Sequence, residues 1–424
     1  MRDKIHLKYG RESIALDLSA GSEWVELRPD DVMAMPNERL GLYASLEAPV
    51  GCAPLREALC GVRRVAVVVS DATRPVPTRR FLPYILDYLN AAGLLDHAID
   101  VLIAYGSHRM MSDAETAALL GENIARRVRV HHHDCRDEAR LVDLGTTSQG
   151  LPVRLNRLLA EADLVIATGG VAHHYFAGFG GGRKALVPGC AAHETILANH
   201  RLVLQDNGEL LCPRCRSGVL DGNPVHEAAL EAARMAGKIF AVNVVLNSSG
   251  EIAHFISGAL DASHRRACEI VDALYTKKID APVKLVLASC GGWPADTDLI
   301  QMHKAIDHAA EAVGDGGVLI ICGAAENGVG SSTFERWFDY SDLPTMAAAI
   351  RRDYTLNAQT AYAMRQKAAR IKICLQSGLE PEFVRRMGLM PVESIKDALA
   401  DTLSDAKRAY IIPDASRTLV RIAK

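Results

Sequence analysis

Short apolar runs alternate with longer mixed segments through the first half of the chain. Val62–Ser70 (VRRVAVVVS), Ile99–Gly106 (IDVLIAYG), Arg126–His133 (RRVRVHHH) and Ala162–Gly170 (ADLVIATGG) are rich in β-branched residues and read as strands. Segments such as Thr78–Leu94 (TRRFLPYILDYLNAAGL) have the pattern of helices between them. Strands apolar on both faces, alternating with helices, predict a parallel sheet covered on both sides. In such a sheet the residues just after each strand gather at one edge, where ligands bind.

The texture then changes. Lys238–Ala259 holds two β-like runs around NSSG, which predicts an antiparallel hairpin. Lys277–Lys284 (KKIDAPVK) combines proline with charge and reads as a linker. Beyond it, KLVLASCGG (Lys284–Gly292), GGVLIICGAAENG, RIKICLQSG and AYIIPDA read as strands, and Leu299–Val313 as a helix. The expected fold class is α/β, with two α/β domains, parallel-rich sheets and an active-site cleft between them. Their expected extents are 1–275 and 276–424, with room for the last residues to pack back on the first domain.

Composition narrows the partners. The chain has 424 residues, enough for two domains, and a net charge of −3, which lacks the basic excess of nucleic-acid or membrane-surface proteins. The start, MRDKIHLKYG, has no apolar export signal, and no apolar stretch has the length of a bilayer span. The ten cysteines form no dense framework, so the expectation is reduced thiols and a cytoplasmic protein.

Candidate chemistry lies at the strand ends. Ser70–Pro75 (SDATRP), Gly106–Arg109 (GSHR) and the pair His173 and His174 each follow a predicted strand. Gly178, Gly180, Gly181 and Gly182 then lead into Arg183 and Lys184. A Walker loop needs Ser or Thr after the lysine, where this chain has Ala185, and a dinucleotide fingerprint needs a third glycine where it has Arg183. What remains is a run of unscreened N–H groups that can cradle an anion beside two cations, or a plain turn with surface basic residues. His131–Cys135 (HHHDC) lacks partner ligands at metal spacing, and Cys212 and Cys215 form a single CxxC with no second pair.

With these stretches together, the sequence resembles the nickel-pincer lactate racemase family. The resemblance spans nearly the whole chain and is carried by SDATRP, GSHR, HHYFAGFGGGRKALVPG (His173–Gly189), ETILANH (Glu194–His200) and PADTDLIQMHKA (Pro294–Ala305). It implies a nickel-pincer nucleotide, the pyridinium-3-thioamide-5-thiocarboxylic acid mononucleotide with Ni(II), made by separate cofactor-synthesis proteins and bound by the N-terminal domain. By the same resemblance Lys184 tethers that cofactor and His200 ligates the nickel. His108 and His174 are the paired acid/base residues, assisted by Arg74. Asp71, Thr73, Gly180, Gly181 and Gly182 bind the cofactor, and Gln301 and Lys304 clamp the substrate carboxylate. Val329, Ile300 and His173 depart from the family pattern, and Ile300 stands where lactate-specific members carry an aromatic residue.

The implied reaction is inversion of a 2-hydroxy acid by reversible hydride transfer through a 2-keto acid. A carbinol hydrogen beside a carboxylate is a very poor acid, so its removal as hydride is easier when a base takes the hydroxyl proton. Histidine suits that base, since its pKa lies near working pH. Gln301 and Lys304, three apart, share one helix face. The alternatives are an NAD-dependent 2-hydroxy acid dehydrogenase, which the missing dinucleotide fingerprint opposes, and a non-enzymatic nickel- or nucleotide-binding protein, which has no use for His108.

Overall fold

The computed structural model describes residues 4–18, 23–402 and 407–423. The first three residues of the MRDKIHLKYG start lie outside that range. The chain divides into two compact units, one formed by Asp31–Val203 and Pro213–Ala273, the other by Met1–Asp30, Leu204–Cys212 and Leu274–Lys424. The units are therefore not the sequential halves 1–275 and 276–424, because the N-terminal thirty residues belong with the C-terminal part.

In the first unit six strands lie in the order Ile252–Ala259, Ile239–Leu246, Leu164–Gly170, Val65–Ser70, Ile99–Ala104, Arg129–His132. All neighbours are parallel except the first pair. Val65–Val69 and all of Ile99–Ala104 are buried, as runs covered on both faces must be. The helix Thr78–Ala91 buries Phe81, Leu82, Ile85, Leu86 and Leu89 at helical spacing against Val67, Val69 and Ile103. The NSSG hairpin forms as expected: the Asn247 side chain accepts the N–H groups of Ser249 and Glu251, and Gly250 takes φ +81°.

In the second unit six strands run Met390–Pro391, Lys372–Gln376, Val313–Cys322, Val283–Ser289, Arg408–Ile412, Glu23–Glu26, all parallel. The segment read as a linker is part strand: Thr276–Ile279 pairs in parallel with Leu419–Ile422. Its partner lies near the far end of the chain, so local composition gave no sign of the pairing. The helix Leu299–Ala310 starts at Asp298, whose side chain accepts the Gln301 N–H at 2.9 Å. Met302, Ala305, Ile306 and Ala309 form its buried stripe. No helix among the described residues is long and apolar enough to cross a membrane.

Candidate active site

The winding of the first sheet places the site. From Val65–Ser70 the chain adds Ile99–Ala104 and then Arg129–His132 on one side, and returns to add Leu164–Gly170 on the other. That reversal falls beyond the carboxyl ends of Val65–Ser70 and Leu164–Gly170, the position where open α/β sheets bind ligands. Asp71 and Thr73 follow the first of these strands, and His173 and His174 the second. His108 follows the neighbouring Ile99–Ala104.

Asp71, Thr73 and His108 form one cluster. Asp71 is buried, and its Oδ2 lies 2.8 Å from His108 Nδ1. Its Oδ1 accepts the Thr73 N–H at 2.7 Å and the Thr73 hydroxyl. Burial alone would raise the Asp71 pKa, but the bonds from His108 and Thr73 and the charges of His108 and Arg74 outweigh it and hold the carboxyl below its ordinary value. An ionised Asp71 accepts, so His108 Nδ1–H donates, and the ring presents Nε2 for proton exchange. The turn below is fixed by the Gly106 N–H, which donates to the Gly189 carbonyl at 2.8 Å; Gly106 has φ +57°.

His174, Lys184 and His200 form a second cluster around Phe176, an aromatic residue that sequence reasoning passed over. Lys184 Nζ lies 3.2 Å from His174 Nε2 and 5.6 Å above the Phe176 ring. Phe176 meets the His174 ring edge-on at 4.7 Å and the His200 ring at 5.1 Å. His200 sits near the end of the helix His193–Arg201, and its Nδ1–H donates to the Ile196 carbonyl at 2.9 Å. The ring keeps some accessible surface, but the protein packed around it depresses its pKa to about 3, helped by the charges of Lys184 and Arg74. His200 is therefore neutral with an Nε2 lone pair, the form that ligates a metal. The charge of Arg74 acts on both clusters, on Asp71 in one and His200 in the other.

The glycine loop differs from the expected anion cradle. The Gly180 N–H donates to the Ala172 carbonyl, and the Gly182 N–H donates to Asn243 Oδ1 at 3.0 Å. Gly181 and Gly182 have φ +73° and +51°, and a Cβ on either would fall within 3 Å of Val171 or His264. Arg183, for which the sequence left open a cation beside an anion or a surface basic residue, is only 1% exposed and donates to the carbonyls of Ala177 and Phe179. It braces the loop from inside, and Lys184 is left to face Phe176. Gln301 and Lys304 lie on the helix Leu299–Ala310 of the second unit, where Lys304 Nζ donates to Gln301 Oε1 at 2.7 Å.

The remaining motifs have local partners. His131 Nε2 lies 2.8 Å from Asp100 Oδ1, and His133 Nε2–H donates to the Ala191 carbonyl at 3.0 Å. Cys212 and Cys215 form no disulfide, and the Cys215 thiol donates to Asn223 Oδ1 at 3.5 Å. Among the described residues, no three His, Cys, Asp or Glu side chains gather as a metal-holding group.

Known proteins share this arrangement of sequence and fold. The family model for the lactate racemase N-terminal domain matches residues 9–211, and that for the lactate racemase C-terminal domain matches 277–420. The lactate racemase of Thermoanaerobacterium thermosaccharolyticum is 32% identical, covering 98% of this chain and 99% of its own. That of Lactiplantibacillus plantarum is 30% identical over 91% of each. The structure of the Thermoanaerobacterium lactate racemase apoprotein aligns over 99% of this chain and 100% of its own, with a TM-score of 0.88 at 30% identity. A Thermotoga maritima protein shares the fold at 20% identity, with a TM-score of 0.70 over 93% of this chain and 100% of its own. By sequence and by fold alike, the chain belongs to the lactate racemase family and is an enzyme of the isomerase class.

Proposed function

We propose that the protein racemises or epimerises a small 2-hydroxy acid at its carbinol carbon, through a 2-keto acid, with a nickel-pincer nucleotide held by Lys184 and His200. The observation that carries this reading is the meeting of Lys184, His174 and His200 around Phe176 at the sheet edge that also bears the Asp71–His108 pair. The residues fit the group. His200 offers a neutral imidazole with Nδ1–H bound to Ile196, so one protein ligand is oriented and the remaining donors come with the nucleotide. Lys184 holds its amine 3.2 Å from His174 Nε2, among the groups that would surround the tethered nucleotide. Once bound, the nucleotide supplies an acceptor for the carbinol hydrogen as hydride.

The protein's own groups do the rest. His108 Nε2 takes the hydroxyl proton of one enantiomer, with Asp71 stabilising the imidazolium that forms. His174 is the group proposed to serve the other enantiomer; its Nε2 lies 3.2 Å from Lys184 Nζ, beside the proposed tether. Gln301 and Lys304 hold the carboxylate, so that the flat keto acid stays bound while it turns, and Arg74, Thr73 and the Gly180–Gly182 loop shape the cofactor site.

The test uses cofactor-loaded protein and single enantiomers of 2-hydroxy acids in heavy water, followed by proton NMR. Inversion with retention of the carbinol hydrogen is expected; rapid deuterium uptake at that carbon rejects hydride return. Intact mass gives a second reading: loading adds mass to the wild-type chain and leaves Lys184→Arg unchanged. Reduced-nicotinamide absorbance during turnover would instead mark a dehydrogenase.

A further inference from the structure

The histidine run that ends the strand Arg129–His132 has no part in the chemistry above, yet one of its rings reaches the turn that carries His108. His132 Nδ1 lies 2.7 Å from the Tyr105 hydroxyl, and the two rings stack at 5.8 Å with 14° between their planes. The Tyr105 hydroxyl also accepts the Met111 N–H at 3.3 Å, and the Tyr105 carbonyl accepts the His108 N–H at 3.0 Å. Tyr105 therefore ties the turn at two points, one at His108 and one three residues beyond it. Burial, the largest influence on each, lowers the His132 pKa and raises that of Tyr105. The phenol and the imidazole share one hydrogen bond, whichever of the two donates, while the phenol oxygen accepts from Met111. Tyr105 is 2% exposed, so a broken bond here leaves a buried polar atom unsatisfied.

We propose that Tyr105 and His132 are positioning residues that hold the Tyr105–Met111 turn so that His108 Nδ1 meets Asp71. The parallel pairing of Ile99–Ala104 with Arg129–His132 sets Ile103 beside His132, which puts the phenol and the imidazole within reach of each other at the sheet edge. His108 itself is 37% exposed on its side chain, and Arg109 and Met110 after it are exposed, so the turn draws little order from burial beyond Tyr105 and Met111. The contribution to turnover rests on the role proposed above for His108; the positioning does not.

Two readouts separate these. In cofactor-free protein, nitrogen NMR of the His108 ring reports its tautomer. Wild type is expected to show the Nδ1–H form, and Tyr105→Phe and His132→Leu a mixture. His132→Asn, which keeps a hydrogen-bonding group near the place of Nδ1, is expected to restore the wild-type signal. In loaded protein, Tyr105→Phe and His132→Leu should each lower kcat about tenfold with KM changed less than about twofold, as for a group that acts in the transition state through another. The double variant should be no slower than either single, because both remove one shared bond. His108 signals unchanged in both single variants, His132→Asn behaving as His132→Leu, or additive losses in the double variant would overturn the proposal. A shifted His108 tautomer with wild-type turnover would leave the positioning intact and remove His108 from the catalytic scheme instead.

Discussion

A carboxylate only 2% exposed is costly unless its charge is met, and Asp71 is met by His108, by both donors of Thr73 and by the field of Arg74. Its pKa is lowered on folding, so it contributes stability that is present above the ordinary Asp pKa of about 3.9 and is lost as pH falls through the folded value. Asp71→Asn keeps the shape and removes the charge. The urea midpoint difference between wild type and Asp71→Asn should change as pH falls below about pH 4. The same variant no longer holds His108 in the Nδ1–H tautomer, and racemisation should fall by at least about 100-fold, the scale of a lost carboxylate behind a catalytic imidazole. A midpoint difference that does not change below about pH 4, or near-normal turnover, would show that Asp71 does neither.

At the scale of elements, the glycine loop is a packing device before it is a ligand cradle. His264 donates from Nε2 to the Gly180 carbonyl at 2.8 Å, and its ring lies under Gly182, where a Cβ would sit 2.8 Å from Cγ and Cδ2. Gly182→Ala therefore combines left-handed strain with overpacking against a ring that a hydrogen bond holds, for a loss of about 2–5 kcal/mol. Gly93, just past the helix Thr78–Ala91, has φ +94° but nothing within 4 Å of a Cβ, so Gly93→Ala should cost only the strain, about 1–2 kcal/mol. Urea denaturation of both variants measures the difference; equal losses would mean that His264 gives way. Much at this scale was legible in the sequence. The apolar runs marked both sheets, NSSG marked the hairpin, and strand-end polar residues marked one edge, because each signal is local. What escaped was set by distant partners. Neither reading of Arg183, as a cation beside an anion or as a surface basic residue, anticipated its burial, because its acceptors are backbone carbonyls, which no side-chain pattern displays. Phe176 read as part of a motif, with nothing in its spacing to show that three functional groups would converge on it. Asp71 and His108 were each singled out, but their pairing depends on the adjacency of Val65–Ser70 and Ile99–Ala104.

Across the whole molecule, the consequential misreading of local pattern is the assignment of the N-terminal thirty residues, and it leads to a test of how the second unit is held together. The hairpin of Ile5–Tyr9 and Glu12–Leu16 places Ile5, Leu7 and Leu16 in one core with Leu285, Leu287, Ile320 and Ile411. Leu7 and Leu16 are 0% and 2% exposed. Backbone bonds tie the same segment in: the Trp293 N–H donates to the Gly10 carbonyl, and the Gly10 N–H donates to the buried Asp296 at 2.7 Å. Glu23–Glu26 then forms the edge strand beside Arg408–Ile412. Burial of three such side chains is worth roughly 5–9 kcal/mol at about 1.5–3 each, which is comparable to the whole stability of an ordinary domain. Removing residues 1–30 should therefore unfold the second unit while the first, with its own core around Val67, Ile103 and Ile166, stays folded. Hydrogen exchange read by mass spectrometry is the measurement. Peptides covering Val283–Ser289, Val313–Cys322 and Arg408–Ile412 should lose protection, and those covering Val65–Ser70, Ile99–Ala104 and Leu164–Gly170 should keep it. Full protection in both sets would mean that the C-terminal sheet is stable without the hairpin and that the N-terminal segment only covers a face that is already closed.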